Sequence, residues 1–125
     1  MQKLYEKYNG HLIEDVGAYK SRDFVNFANY AKRRMKVAAK EKDIELVNFS
    51  IGHYDIYGFF RSNQTGKYAY FSFSDCRYRP LDFDSSDCMR GFLLRTADGP
   101  KDYRGGQNHF VNLKGFIPLL EKLVS

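Results

Sequence analysis

The sequence predicts one α+β domain over residues 1–125: an antiparallel sheet of three to five strands, a long N-terminal-half helix packed on one face, and a C-terminal helix. Residues 44–75 alternate apolar and polar side chains and contain two turn signals, which predicts three antiparallel strands. Apolar residues recur at helical spacing on either side of that stretch. A chain of this length buries a core without a metal or disulfide staple, so we expect a single domain.

Residues 1–20 fit two interpretations, a short helix interrupted at Asn9-Gly10 or a strand over residues 11–16. We treat them as a lead-in to the domain. No segment of the chain has an apolar run long enough for a secretory signal or a membrane anchor. We therefore expect a soluble, cytoplasmic protein with no membrane contact.

The first long helix is predicted to begin at Ser21, whose hydroxyl can cap the first turn, while Asp23 suits the positive end of the helix dipole. Its apolar residues form one stripe at helical spacing: Phe24, Phe27, Ala28, Ala31, Met35 and Ala38. Its other side carries four basic residues: Lys32, Arg33, Lys36 and Lys40. These fit either an ordinary solvated surface or a contact with phosphate or an acidic protein.

The first strand connection is predicted at Gly52-His53, a two-residue type II′ turn in which Gly takes the positive φ. The register that follows pairs Ile51 with Tyr54, Phe49 with Ile56 and Val47 with Gly58. The second connection is the four-residue turn NQTG over residues 63–66. It pairs Phe60 with Ala69, Gly58 with Phe71 and Ile56 with Phe73.

Because side chains alternate along a strand, these registers assign each residue to one face of the sheet. The predicted core face holds mainly apolar residues: Val47, Phe49, Ile51, Tyr54, Ile56, Phe60, Ala69, Phe71 and Phe73. The opposite face is polar but carries four aromatic rings: Asn48, Ser50, Asp55, Tyr57, Phe59, Arg61, Tyr68, Tyr70, Ser72 and Ser74.

An irregular loop follows, with two arginines and then three aspartates: Arg77, Arg79, Asp82, Asp84 and Asp87. The aspartates do not fit a calcium loop, because Asp87 stands where Gly is required and Leu93 where Glu is required. A solvated turn is the expected structure, and a one-ion magnesium site is the alternative. Cys76 and Cys88 lack the spacing of a zinc or redox pair. We expect no cofactor.

A fourth strand is predicted over residues 88–97 and a brief edge strand over 109–112. The loop between them, residues 98–108, is by default a plain surface loop, but its eleven residues exceed the usual connection, and long loops in compact domains are often functional. Its Gly105-Gly106 pair permits amides to converge on an anion, but the strand-glycine-helix context of a phosphate loop is missing. The last helix starts near Phe116, with Pro118 tolerated in its first turn. Its apolar residues surround it and predict extensive burial: Phe116, Ile117, Leu119, Leu120, Leu123 and Val124.

A formal net charge of +5 and a pI near 9.2 mildly favour a polyanion or an acidic protein surface as partner. On the outer sheet face, the register places Phe59 opposite Tyr70 and Arg61 opposite Tyr68. Rings beside a cation can stack unpaired bases while basic residues hold the backbone. The same rings also fit cross-strand pairs that stabilise the sheet, or a protein-binding face.

Catalysis is not indicated, because none of the three histidines, His11, His53 and His109, sits in a nucleophile motif. A metal-dependent nuclease is kept as an alternative. It would combine His53 or His109 with an acidic residue and a divalent ion. The acids available to it are Asp75, Asp82 and Asp84.

Two passages carry a family resemblance: Gly52-His53-Tyr54 leading to Gly58-Phe59, and Leu94-Arg95-Thr96 leading to Lys101-Asp102-Tyr103, Gly105-Gly106 and Asn108. In layout over residues 21–112 the chain resembles small accessory proteins of bacterial conjugative elements and phages, a group that includes anti-CRISPR inhibitors. The resemblance implies a non-enzymatic inhibitor in the bacterial host cytoplasm that binds a CRISPR effector protein or its guide RNA. A nucleic-acid-binding accessory protein of conjugation or phage replication is the alternative.

A DNA mimic is not expected, because mimicry needs dense negative charge and this chain is basic. The candidate contact residues for a partner protein or nucleic acid are basic or aromatic: Lys32, Arg33, Lys36, Lys40, Tyr57, Phe59, Arg61, Tyr68, Tyr70, Arg77, Arg79, Arg95, Lys101, Tyr103 and Arg104.

Overall fold

The computed structural model describes residue 3 and residues 22–52, 55–74 and 92–125, and it confirms the α+β class. The elements follow in chain order: helix α1 (Arg22–Lys40), strands β1 (Ile44–Ile51), β2 (Asp55–Ser62), β3 (Tyr68–Ser74), β4 (Phe92–Ala97) and β5 (His109–Val111), a 3-10 turn (Leu113–Gly115) and helix α2 (Phe116–Leu123). The five strands form one antiparallel sheet in the order β1-β2-β3-β4-β5. Each strand therefore pairs with its neighbour in the chain.

Both helices pack on the same face of the sheet and share one core with it. Phenylalanine rings fill the centre: Phe73 stacks on Phe92 with ring centroids 4.1 Å apart, and Phe92 lies 4.8 Å from Phe116 of α2. Fully burying such a side chain is worth about 1.5–3 kcal/mol. The predicted apolar stripe of α1 is confirmed with one change, since Ala39 is fully buried and Ala38 only half-buried.

The predicted pairing of β2 with β3 is confirmed, including Phe60 with Ala69 and Phe59 with Tyr70. The connecting turn closes where the N–H of Ser62 donates to the carbonyl of Lys67 at 2.9 Å. Gly66 adopts a φ of 75°, in the left-handed region that the turn requires. The NQTG signal therefore fixed this hairpin correctly.

The predicted pairing of β1 with β2 is wrong. Ile51 pairs with Ile56, and the N–H of Gly52 donates to the carbonyl of Asp55 at 2.8 Å. The hairpin thus closes at Gly52 and Asp55, so Gly52-His53 is not the two-residue turn. Residues 53 and 54, with the predicted place of Tyr54 in the core, lie outside the described residues.

A β-bulge in β1 is the reason that one predicted core residue changes face. The register shifts between Val47 and Ser50, so two residues of β1 stand opposite Gly58. Asn48 takes a φ of 52° at the bulge. Val47 consequently pairs with Phe59 on the outer face, and its predicted place in the core is wrong. Leu46, which pairs with Phe60, packs against the core instead.

The C-terminal part follows the prediction closely. Strand β5 and helix α2 form where expected, with Pro118 in the first turn of α2. One side of α2 is buried through Phe116, Leu120 and Val124, while its remaining apolar side chains are only half-buried. Thr65 Oγ1 donates to the carbonyl of Val124 at 2.6 Å, which ties the end of the chain to the β2–β3 turn.

Several predictions fall on residues outside the described ranges. They concern the capping residue Ser21, the two cysteines, the first part of the fourth strand at residues 88–91, and the loop that carries Arg77, Arg79 and the three aspartates. In the part of the chain that the structure describes, no helix is long and apolar enough to cross a membrane.

Candidate binding surface

The loop of residues 98–108 lies across the outer face of the sheet, opposite the two helices. Two contacts hold it there. Asn48 Nδ2, at the β1 bulge, donates to the carbonyl of Pro100 at 2.9 Å. The guanidinium of Arg95 on β4 donates to the carbonyl of Tyr103. The loop is therefore a folded part of the surface, attached to β1 at one edge of the sheet and to β4 on the other side of β2 and β3.

Asp102 organises the loop from within. Its carboxylate accepts hydrogen bonds from the backbone N–H groups of Asp98 at 2.9 Å, Gly105 at 2.9 Å and Arg104 at 3.3 Å. The bond from Asp98, then that from Arg104, hold the pKa of Asp102 below its ordinary value. The Gly105 amide, considered above as an anion ligand, is thus occupied by a carboxylate of the chain itself.

The most exposed aromatic residue of the outer face is Tyr103, which lies over a group of three rings. Its ring centroid is 5.2 Å from Phe59, 6.0 Å from Tyr70 and 6.2 Å from Tyr57, with interplanar angles of 70° to 77°. Phe59 is fully buried, whereas Tyr103 is 47% exposed. We call Tyr57, Tyr70 and Tyr103, together with Phe59 beneath them, the tyrosine cluster.

The three neighbouring rings meet Tyr103 nearly at right angles, and about half of Tyr103 remains accessible to a ligand, since it is 47% exposed. Phe59 presents no ring to solvent and supports the tyrosines instead. Burial is the main influence on the phenol of Tyr70 and raises its pKa, partly opposed by the charge of Arg95. The cluster is therefore a firm apolar base with an accessible aromatic ring above it.

Arg95 contacts the tyrosine cluster and the loop, so its charge is largely used within the chain. Its guanidinium carbon lies 4.3 Å from the centroid of Tyr70, and Nη1 reaches Asn108 Oδ1 at 3.5 Å. Its Nε is buried and has no hydrogen-bond partner in the part of the chain that the structure describes. Because the guanidinium of Arg95 contacts Tyr70, Tyr103 and Asn108, it holds the loop in place.

Three other predicted contact residues supply the positive charge around the cluster. Lys101 and Arg104 are exposed on either side of Tyr103 in the chain. Arg61 is half-buried opposite Tyr68, and its Nη1 donates to Asn63 Oδ1 at 3.3 Å. We take these three cations and the tyrosine cluster together as the candidate binding surface, because the strand and the loop that carry them share the outer face.

The basic residues of α1 do not belong to this surface, because α1 packs on the opposite face of the sheet. Lys32 Nζ lies 5.5 Å from the ring centroid of Phe49, and the guanidinium of Arg33 lies 5.5 Å from that of Tyr30. Lys36 and Lys40 line a groove beside β1. The predicted contact residues thus divide between two surfaces, and Arg77 and Arg79 lie outside the described residues.

Sequence reasoning missed the residues that position the loop, Asn48 and Asp102. The spacing of Asp102 and Gly105 is a signal that could have identified a side-chain-to-backbone turn. Nothing comparable marks Asn48, because its role depends on a bulge and on a carbonyl 52 residues away.

Comparisons with protein-family models, with curated proteins and with solved structures found no significant match. Within residues 3, 22–52, 55–74 and 92–125, no three His, Cys, Asp or Glu side chains are grouped as a metal site would require. Fold and surface together define a small α+β protein with an aromatic and basic surface on the face of its sheet opposite the two helices.

Proposed function

We propose that this chain is a non-enzymatic anti-defence protein of a mobile genetic element, an anti-CRISPR-like inhibitor that binds the guide RNA of a CRISPR nuclease effector. The mobile-element context rests on the resemblance of the Gly52 and Leu94 passages to accessory proteins of conjugative elements and phages. The mode of binding rests on the candidate surface around Tyr103.

The exposed ring of Tyr103 above buried Phe59 is the observation that carries the proposal. An unpaired base can stack on such a ring, and each stacked base is worth roughly 1–3 kcal/mol. Lys101, Arg104 and Arg61 stand close enough to the cluster along the chain and across the strands to hold the phosphates on either side. Binding of this kind needs no sequence readout, which suits an inhibitor that meets many guide sequences.

Replacement of Tyr103 by Ala tests the proposal, and the chain offers a matched control. Val37, on the helix side, is also 47% exposed, so Val37→Ala removes a similarly accessible apolar side chain elsewhere. Each variant is immobilised and exposed to lysate of a bacterial cell with an active CRISPR system, and the retained RNA is sequenced. We expect guide RNA to be enriched by the parent chain and by Val37→Ala, and lost with Tyr103→Ala.

Affinity for a transcribed guide RNA should fall about 5- to 150-fold in Tyr103→Ala, which is the stacking energy of one base expressed as a binding constant. Inhibition of DNA cleavage by the guided nuclease should fall with it. Retention of an effector protein after its RNA has been digested would overturn the RNA mode in favour of a protein contact. Cleavage of nucleic acid by the chain, abolished by a chelator, would indicate the nuclease alternative.

A nucleic-acid-binding accessory protein of conjugation or phage replication is the second candidate, favoured by the net charge of +5. Such a protein would bind free single-stranded nucleic acid without an effector, and its affinity would decrease steeply with salt. A binding titration at several salt concentrations, with random single-stranded RNA and with assembled effector, separates the two. Equal affinity for both ligands would favour the accessory protein.

A further inference from the structure

A second surface lies beside strand β1 and does not depend on the tyrosine cluster. It is a groove of about 490 Å³ between the C-terminal half of α1 and the beginning of β1. Lys36 and Lys40 line it from the helix, and Ile44 and Leu46 from the strand. Ile44 is buried and Leu46 half-buried, so the floor is apolar while the helix wall is basic.

The groove runs along β1, an edge strand of the sheet that the described residues form. β1 is the first strand in the sheet order and pairs with β2 on one side, and no other described strand pairs with its second side. Alternate residues of such an edge strand direct their N–H and C=O groups away from the sheet. These groups can be paired by an extended peptide that adds as a further strand.

The bulge limits the part of the edge that can accept a strand. From Ile44 to Val47 the register with β2 is regular, and the shift begins after Val47. Asn48, with its φ of 52°, bends the strand and interrupts a regular hydrogen-bond pattern beyond that point. Residues 44–46 of this regular section line the groove.

The charge of the groove favours acidic side chains on the added strand. Lys32, Lys36 and Lys40 are spaced four residues apart and form one row on α1, with Lys32 beside Phe49 and Lys40 beside the start of β1. Among described residues, none of the three has a carboxylate within salt-bridge distance. A carboxylate that projected from an added strand toward α1 would therefore meet uncompensated positive charge.

The two acidic residues of the groove leave that charge available. Asp43 accepts a hydrogen bond from Asn63 Nδ2 at 3.0 Å. Glu45 pairs with Arg61 across the strands and therefore projects to the outer face, away from α1. Among the described residues that line the groove, Lys36 and Lys40 are the charged side chains on its α1 wall, the side on which alternate residues of an added strand would lie.

We propose that the groove between α1 and the edge of β1 binds an extended acidic peptide segment of a partner protein by strand addition at residues 44–47. Backbone pairing with β1 supplies the register. Acidic side chains at every second position lie on the α1 side, above the floor formed by Leu46, and meet Lys36 and Lys40, while the side chains between them lie on the outer face. A nucleic acid fits less well, because its phosphates only accept hydrogen bonds and would face the carbonyl groups of the edge as well as its N–H groups.

A synthetic nine-residue peptide with alternating Val and Glu is the probe. Titrated into the full chain labelled with ¹⁵N, it should shift the amide signals of residues 44–47, and calorimetry should give its affinity. A peptide with alternating Val and Lys is the charge control and should not bind. A second control is the Glu peptide N-methylated at the residues whose N–H groups would point toward β1. It should also fail to bind, because it lacks the donors that pair with the carbonyl groups of the edge.

On the protein side, the double variant Lys36→Gln with Lys40→Gln should weaken the Glu peptide about tenfold. Lys101→Gln with Arg104→Gln, on the other face, removes the same charge and should leave the affinity unchanged. Two results would contradict strand addition: equal binding of the N-methylated peptide, and displacement of the Glu peptide by oligo-dT at the same charge concentration. Either would indicate a simple polyanion site instead. In the peptide-free chain, the amides of residues 44–47 that do not donate to β2 should exchange fast; slow exchange of these outward-directed amides would show that the edge is already covered, and would overturn the proposal.

Discussion

Tyr103 makes a T-shaped contact with Phe59, with ring centroids 5.2 Å apart and ring planes at 70°. Phe59 lies in β2 and is fixed by strand pairing on both sides, whereas Tyr103 lies in a loop with no strand partner. The contact therefore depends on the hydrogen bonds that hold the loop. The position of Tyr103 on the candidate surface is therefore set by those hydrogen bonds as well as by the ring contacts.

Replacing Asp102 by Asn should loosen the loop while the sheet stays folded. The two carboxylate oxygens of Asp102 accept hydrogen bonds from the N–H groups of Asp98, Arg104 and Gly105. The neutral amide of Asn has a single oxygen in their place. We expect faster hydrogen exchange at the Asp98 and Gly105 amides, weaker RNA binding and little change in Tm. Asp98→Asn removes the same charge from an exposed side chain and serves as control. If both variants behave alike, only the charge matters, and Asp102 does not position the loop.

The same carboxylate predicts a response to acid. The folded pKa of Asp102 is lowered from its ordinary value of 3.8, so its contribution is fully present above that value and is lost as the pH falls through the folded pKa. Protection of the Gly105 amide should therefore be constant from pH 7 to about pH 4 and decrease only below that range. NMR titration of the Asp102 carboxyl and the Gly105 amide measures both. A transition above pH 4 would contradict this assignment.

Gly58→Ala should destabilise the fold through the β1 bulge. A Cβ at this position would lie 3.0 Å from the carbonyl oxygen of Asn48 and 3.1 Å from the Cα of Phe49, so the backbone must shift. We expect a loss of about 1–3 kcal/mol in the free energy of unfolding. Gly99→Ala is the control, because nothing lies within 4 Å of its added Cβ. Urea unfolding of both variants gives the comparison, and equal stabilities would refute the close approach.

Thr65→Val should weaken the attachment of the C-terminus. The substitution keeps the shape of the side chain but removes the 2.6 Å hydrogen bond to the carbonyl of Val124 and the acceptor for the N–H of Lys67. We expect about 0.5–1.5 kcal/mol of destabilisation by thermal unfolding. Gln64→Ala, at the exposed neighbouring position, should change the stability by less than about 0.5 kcal/mol. A variant as stable as the parent would show that the bond to Val124 contributes nothing net.

The extent to which the sequence predicts this fold differs between its two hairpins. The β2–β3 hairpin was predictable because the NQTG turn and the alternation of Phe60, Ala69 and Phe71 agree on one register. The β1–β2 hairpin was not, because Val47, Phe49 and Ile51 alternate regularly and so conceal the extra residue of the bulge. Gly58 opposite the bulge is the sequence feature that could have indicated it, since glycine in a strand often marks a bulge or a close backbone approach.

The candidate surface was predictable only in part. Cross-strand pairing gave the positions of Phe59 and Tyr70, because alternation constrains strands. It did not give the place of Tyr103, because the path of an eleven-residue loop is set by individual contacts such as those of Arg95 and Asp102. The prediction therefore treated Phe59 as an accessible ring, although it is fully buried, with Tyr70 and Tyr103 in contact with it.

The order of the strands in the sheet has a consequence for the assembly of the molecule. Every strand pairs with its neighbour in the chain, so the hairpins can form one after another and each needs to close only a short loop. Such local pairing favours rapid folding. The bond from Asn48 to Pro100 spans 52 residues and can form only after all the strands up to β4 are in place. The loop of residues 98–108 is thus expected to be the last part to form during refolding and the first to open on mild heating.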